Sequence, residues 1–342
     1  MVQNSSPVGK VLLKFDSWDG FDRCQTFQIR PFCFKPKRGA TVVDNFLTSH
    51  DLSVVVQITS GRRCKHIYRV RDRSGRILIL KMAEDDEGKE EIRRNLEGYK
   101  KLVFLGLAYF IPTIMSSSLD DKKGHILMED CGTDFATLLR EGGADLVPYE
   151  RFEMEITKAY ATSVGNGPDS NKHIDSQIQT VQDLYRDFFQ TAFGSQESNA
   201  VIENLREFLP RNLSRFCFSS WDFMPGNIFI GDAGIKFADP TESVTGVPII
   251  DLACLGGALG DVYNYPQASK WLDRLKRFSL GPLAEMLGLT EEEAEKIYLL
   301  GRLAQTLLSM RFSIQQHPAG NPVFVSRVVE YTKQLFLLNG QS

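Results

Sequence analysis

The sequence predicts a bilobal α+β fold, with a small β-rich N-lobe and a larger, mainly helical C-lobe. Three observations carry this. Strand-like runs dominate the early part of the chain and helical periods the later part, an order that segregates sheet from helices. A length of 342 residues suits two lobes. One late stretch, residues 217–251, returns to short strands and places oxygen-bearing side chains in the loops around them. The reading divides the chain into an N-lobe over 1–130, with an N-terminal elaboration at 1–50 and a sheet and helix at 51–130, and a C-lobe over 131–342.

Composition narrows the classes. Hydrophobic content of 42% and charged content of 24% are ordinary for a chain with a packed core. A net charge of −3 implies no broad basic field, so nucleic acid is not an expected partner. The cysteines (Cys24, Cys33, Cys64, Cys131, Cys217 and Cys254) show neither metal-knuckle nor redox spacing. The start of the chain has no apolar core followed by a small-residue cleavage site, so reduced thiols and a cytoplasmic location are expected. No run approaches the ~18 apolar residues of a membrane span, so no membrane association is expected. The oligomeric state is left open.

Residues 11–15 and 26–34 have strand-like composition, punctuated by Pro31, Pro36 and Gly39, and residues 41–50 suit a short helix. The pattern sharpens into an antiparallel meander: strands at 52–59, 66–70 and 76–82, joined by polar turns at 60–65 and 72–75. The first turn, Ser60-Gly61-Arg62-Arg63-Cys64-Lys65, suits an anion held on backbone N–H groups, and equally suits a solvated basic hairpin turn. Lys81 interrupts the apolar run of the third strand, and a lysine buried there needs a partner. The helix predicted over 87–105 supplies acids. Glu97, next to Leu96 on the apolar face, is the favoured partner, and Glu90 and Glu91 read as a solvated helix start. Residues 107–115 then run into the next strand through Pro112. A further strand at 125–128 leads to Glu129-Asp130-Cys131-Gly132, after which Thr133 is placed to cap a helix.

Residues 148–210 carry helical periods, with Val181, Leu184, Tyr185, Phe188 and Phe189 forming a core stripe. Breakers at 165–168 leave a candidate mobile loop over 165–172. Further helical blocks follow at 263–287, from Thr290 to about residue 315, and at 322–338. Thr290 opens its block as a cap before Glu291, Glu292 and Glu293.

Between these helical regions lies the stretch with the most specific chemistry. Asp222 and Asn227 flank a loop containing Pro225 and Gly226. Residues 228–230 form one short strand, residues 231–234 a turn, residues 235–238 a second strand, and Asp239 ends it. A carboxylate, an amide oxygen and a second carboxylate brought together suit Mg2+, which in such sites usually accompanies a nucleotide phosphate.

This pattern, with Pro225-Gly226-Asn227-Ile228 and the downstream 248–253 segment Pro-Ile-Ile-Asp-Leu-Ala, resembles the aminoglycoside phosphotransferase and choline kinase-like branch of the protein-kinase-like fold. The resemblance implies a small-molecule kinase that transfers the γ-phosphate of ATP (or GTP) to a hydroxyl of an antibiotic, sugar or amino alcohol, with antibiotic resistance among its known uses. It implies Asp222 as the catalytic residue, Asn227 and Asp239 as ligands of Mg2+, and Lys81 with Glu97 at the phosphates of the nucleoside triphosphate. Ser60 and Gly61 would lie over the phosphates, and Met128, Glu129 and Cys131 against the base. Asp251 would be structural, a role that a helix N-cap before Leu252 explains as well. The sequence departs from the pattern at Ser220, where a histidine is usual, and at Pro240-Thr241 after the metal carboxylate. The span from Asp239 to Asp251 is too short for a regulated activation loop, which favours a small-molecule kinase over a protein kinase. A peptide or protein acceptor, and an inactive nucleotide-binding protein, stand as alternatives.

Overall fold

The computed structural model describes residues 42–58, 66–120, 123–141, 149–163, 170–188, 196–208, 218–219, 223–231, 234–240, 244–245, 248–259, 268–313 and 322–340. The expected strands at 11–15 and 26–34 and the turn at 60–65 lie outside these residues.

Helix α1 (Val42–Ser49) precedes strands β1 (Ser53–Ile58), β2 (His66–Arg71) and β3 (Ile77–Ala83). Helix α2 (Asp86–Phe104) leads to β4 (Ile114–Leu119) and β5 (Gly124–Glu129). These strands form one antiparallel sheet in the order β1-β2-β3-β5-β4, which puts β3 at its centre. The turn before β3 is built by Asp72, whose carboxylate accepts from the backbone N–H of Ser74 at 2.9 Å and of Arg76 at 3.0 Å. Helix α2 starts because Asp85 caps it, accepting from the Gly88 N–H at 2.7 Å, with Asp86 and Glu87 in the first turn.

The sheet is covered on both faces. Val43, Phe46 and Leu47 of α1 pack on Leu78, Leu80 and Met82. The alternate residues Ile79 and Ala83 belong to the main core, where Ile92, Tyr99 and Leu102 of α2 lie. The period-2 alternation of β3 therefore turns Lys81 toward α2. Strand β4 begins only at Ile114, not within 107–113 as the sequence suggested. Pro112 donates no ladder hydrogen bond, and a 3-10 turn (Ala108–Phe110) precedes it, burying Leu107, Phe110 and Ile111.

The second part is mainly helical. Strand β6 (Thr133–Asp134) runs into α3 (Phe135–Arg140), capped by Asp134 rather than Thr133, since the Asp134 carboxylate accepts from the Thr137 N–H at 2.9 Å. Helices α4 (Tyr149–Ser163), α5 (Ser170–Phe188) and α6 (Gln196–Glu203) follow, and Val181, Leu184 and Tyr185 are buried as the stripe predicted. Strand β7 (Phe218–Ser219) precedes a hairpin of β8 (Ile228–Gly231) and β9 (Gly234–Phe237), and β10 (Val244–Thr245) pairs with β7. Helix α7 (Pro248–Gly257) is buried throughout. It packs in the core with α8 (Ala268–Leu280), α9 (Pro282–Leu287), α10 (Glu291–Ser313) and α11 (Pro322–Gly340). Thr290 and Glu293 form a reciprocal capping box at the start of α10.

Beneath α1, His125 is 7% exposed and touches the Phe46 ring at 4.5 Å, with its Nε2 3.2 Å from the Ser116 hydroxyl. Burial, and then the neighbouring His50, pushes its pKa below the ordinary histidine value. The unfolded chain then takes up the proton first, so the contribution of His125 to stability is constant above about pH 6.5 and falls as pH drops from there toward the folded-state pKa. Urea midpoints at about pH 7.5 and about pH 5.5 are expected to separate more in the native protein than in His125→Gln. Parallel loss in both proteins would remove His125 as the cause.

Candidate active site

Lys81 sits in the middle of the sheet, opposite Ile67 on β2 and Ile126 on β5, and is 5% exposed. A buried ammonium is tolerated only among oxygen partners. Its Nζ lies 3.0 Å from Asn95 Oδ1, 3.4 Å from Glu91 Oε1 and 3.1 Å from Asp239 Oδ1. Two of these groups come from α2 and the third from the far end of the β8–β9 hairpin.

The helix partner is Glu91, not Glu97. Glu97 is half-exposed and pairs with Arg93 at 2.5 Å, and Arg93 also pairs with Glu90. Glu90, Arg93 and Glu97 form an i, i+3, i+7 ladder on the outer face. Glu91, Asn95, Gly98, Tyr99 and Leu102 share the inner one. Leu96, whose neighbour pointed to Glu97, is only partly buried and marks the edge of the apolar stripe. Centring that stripe on Ile92, Tyr99 and Leu102 would have brought Glu91 inside, with Asn95 one turn on, a residue the sequence reading missed.

The hairpin register brings the two proposed metal ligands together. Ile228 faces Phe237, and the Ala238 N–H donates to the Asn227 carbonyl at 2.8 Å, so Asn227 lies beside the strand end that carries Asp239. Asn227 ends a 3-10 turn (Pro225–Asn227) closed by its N–H on the Met224 carbonyl at 2.9 Å. Asp239 has a positive φ of 60°, rare outside glycine. Its Oδ1 is buried and meets Lys81 without an aligned hydrogen bond. A carboxylate and an amide oxygen on one edge leave most positions to substrate oxygens and water, the donor set that suits Mg2+. Among the described residues no group of three or more His, Cys, Asp or Glu forms a closed metal site.

Asp222, Ser60 and Gly61 lie outside the described residues, as do Ser220 and Trp221. Phe223, next to Asp222, is fully buried against Phe237, with ring centroids 5.5 Å apart. At the end of β5, Met128 is buried between Ile79 and Ile114. Glu129 accepts from the Thr113 N–H at 3.0 Å and lies 3.8 Å from the Lys236 ammonium. Burial pushes the half-buried Cys131 thiol up to about 12, helped by the Glu129 carboxylate, so it stays neutral. Asp251 lies inside α7, which begins at Pro248, so it is not an N-cap. It is fully buried and accepts from the Tyr160 hydroxyl at 3.1 Å.

No protein-family model matches the chain, and no curated protein matches it significantly in sequence. Solved structures do match along most of its length. A Haemophilus somnus 129PT protein provisionally described as a fructosamine-3-kinase aligns with a TM-score of 0.51 at 12% identity, covering 79% of this chain and 87% of that one. A Plasmodium vivax ethanolamine kinase aligns with a TM-score of 0.50 at 13% identity, covering 85% and 84%. The chain has the protein-kinase-like fold. An amicoumacin kinase solved with AMP-PNP, Ca2+ and Ami shares this fold at a TM-score of 0.50 and 10% identity, covering 84% and 88%. At such identities the likeness speaks for architecture. In this protein-kinase-like chain the two parts meet where Lys81 reaches Asp239 and where α2 touches Pro240.

That second contact is close enough to test. A Cβ built on Gly98 would lie 1.8 Å from the Pro240 carbonyl oxygen and 2.8 Å from its carbonyl carbon. Gly98→Ala must push helix and loop apart, at a cost of about 1–3 kcal/mol. Urea unfolding is expected to show a lower midpoint with an unchanged slope. An unchanged midpoint would mean that the loop yields freely.

Proposed function

We propose that this chain is a small-molecule kinase, transferring the γ-phosphoryl group of ATP or GTP to a hydroxyl of an antibiotic, sugar or amino-alcohol-type acceptor. The observation that carries the proposal is the buried Lys81 ammonium, held by Glu91 and Asn95 and directed at Asp239. An ordinary structural lysine would reach water. This one is fixed at the seam between the sheet and the β8–β9 hairpin, where a nucleotide's phosphates would lie. The fold neighbours named as ethanolamine and amicoumacin kinases support the small-molecule class, and the latter's AMP-PNP and Ca2+ support a nucleotide with a divalent cation.

In this reading Lys81 binds phosphate oxygens, and Glu91 and Asn95 keep its Nζ in place when the Asp239 carboxylate turns to its other task. Asn227 and Asp239 would hold Mg2+, which supplies charge neutralisation at the phosphates. Met128 would close the back of the base pocket, and the Glu129 carbonyl with the Cys131 N–H would face the base edge. Ser60 and Gly61 are assigned to the phosphates from sequence. Asp222 would orient the acceptor hydroxyl and take its proton, which passes to the carboxylate as the oxygen–phosphorus bond forms. ADP or GDP leaves. An ordinary carboxylate suffices, since proton transfer is late and positioning dominates.

The test is release of ADP or GDP with Mg2+ over a panel of hydroxylated antibiotics, sugars and amino alcohols. Asp222→Asn is expected to lower turnover by roughly 10²–10⁴-fold. Glu91→Gln is expected to lower kcat/KM by about 10- to 100-fold, the worth of a hydrogen bond to a charged group, and Glu97→Gln to leave it unchanged. Absence of nucleotide binding with Mg2+ present would end the proposal. Equal losses in the Glu91 and Glu97 variants would end the assignment of Lys81's partner.

A further inference from the structure

Helix α2 does more than hold Lys81. One turn beyond Asn95, the Tyr99 side chain is 3% exposed and reaches the strand end that carries Asp239. The Asp239 backbone N–H donates to the Tyr99 phenol oxygen at 3.4 Å. The phenol's own hydrogen is directed to Met128 Sδ at 3.6 Å. The group thus links the helix, the back of the proposed base pocket and the carboxylate loop. Burial raises the Tyr99 pKa above its ordinary value, so the phenol keeps its hydrogen and serves both contacts.

The loop needs such a hold. Asp239 occupies a left-handed conformation, with φ at 60°, that is costly for residues with a Cβ and persists only where the surroundings impose it. Three contacts impose it here. The Asp239 side chain meets Lys81, the Pro240 carbonyl lies against Gly98, and the Asp239 N–H meets Tyr99. The first is lost whenever the carboxylate turns away from Lys81. The other two act on the backbone and remain.

We propose that Tyr99 is a positioning residue that fixes the backbone of Asp239 through its phenol oxygen, and so sets how strongly the site favours a metal-bound over a metal-free nucleotide. This rests on the proposed function above. The residue touches neither nucleotide nor acceptor in this assignment. It acts through Asp239, and its removal should change the part of the affinity that depends on the metal.

Tyr99→Phe deletes one oxygen and keeps the ring. Calorimetric titration with ADP and with GDP, with and without Mg2+, gives for the nucleotide that binds the ratio of the two affinities for each protein. The metal-free affinity is expected to be unchanged, and the gain from Mg2+ to fall about three- to tenfold, the scale of one lost hydrogen bond. Glu97→Gln should keep the native ratio. In the protein without nucleotide or metal, hydrogen exchange over residues 234–240 is expected to be faster in Tyr99→Phe. Both measurements are made well below the variant's unfolding midpoint, and a merely structural tyrosine would lower that midpoint while leaving the ratio intact. A native metal gain that survives in Tyr99→Phe, or unaltered exchange, overturns the assignment of Tyr99 alone. A native chain that binds neither ADP nor GDP even with Mg2+ overturns this inference together with the kinase reading.

Discussion

A buried ammonium group requires oxygen around it, and much of the site's architecture follows from that requirement at Lys81. The lysine is inside because the sheet is covered on both faces, by α1 on one side and α2 on the other. On a sheet with one wet face the same residue would reach water at no cost. With both faces closed, the chain must bring carboxylate and amide oxygens to it, and it does so from two parts of the fold. Two contacts, to Glu91 and Asn95, join β3 to α2 within the sheet region. The third crosses to Asp239 at the end of the β8–β9 hairpin, so a single cation links the sheet to the helical part.

The crossing is closed by backbone as well as charge. Gly98 lets the helix approach the Pro240 carbonyl, and Tyr99 receives the neighbouring N–H. These two residues are adjacent in sequence and meet adjacent residues, 239 and 240. A glycine inside a helix sacrifices propensity, and here the close approach gives the reason. The hairpin needs its own anchor, which the buried Phe223–Phe237 pair supplies below the loop.

Much of this was legible in the sequence. The meander, the lysine in an apolar strand and the hairpin between Asn227 and Asp239 follow from short-range patterns: strand composition, turn residues and spacing. The helix face was harder. A 3.6-residue period fixes a face only when its centre is known, and the rotation of about 100° per residue puts Glu91 on a different face from Glu90. Charged and polar residues on the inner face, Glu91 and Asn95, are invisible to a search for apolar positions, because they are inside for Lys81 rather than for the core. The late start of β4 and the early start of α7 have the same origin. Local propensity read the apolar 107–111 run as strand and offered a cap as one explanation of a structural Asp251, whereas tertiary packing uses the first as a plug and buries the second against Tyr160.

Asp239 brings these strands of reasoning together. Its Oδ1 is buried and ion-paired but lacks an aligned hydrogen bond, and its backbone is held in the left-handed region, an uncommon conformation for a residue with a Cβ. Either feature alone would be a local cost. Together they describe a carboxylate whose backbone is fixed while its side chain has a partner it can exchange. With the chain held at Tyr99 and Gly98, the proposed turn of the carboxylate from Lys81 to a cation would need a side-chain rotation and no loop rearrangement. Glu91 and Asn95 remain on Lys81 through that exchange, so the ammonium is never left buried without an oxygen partner. For the kinase function proposed above, such a site would keep its backbone and the Lys81 ammonium preorganised while only the Asp239 side chain changes partner.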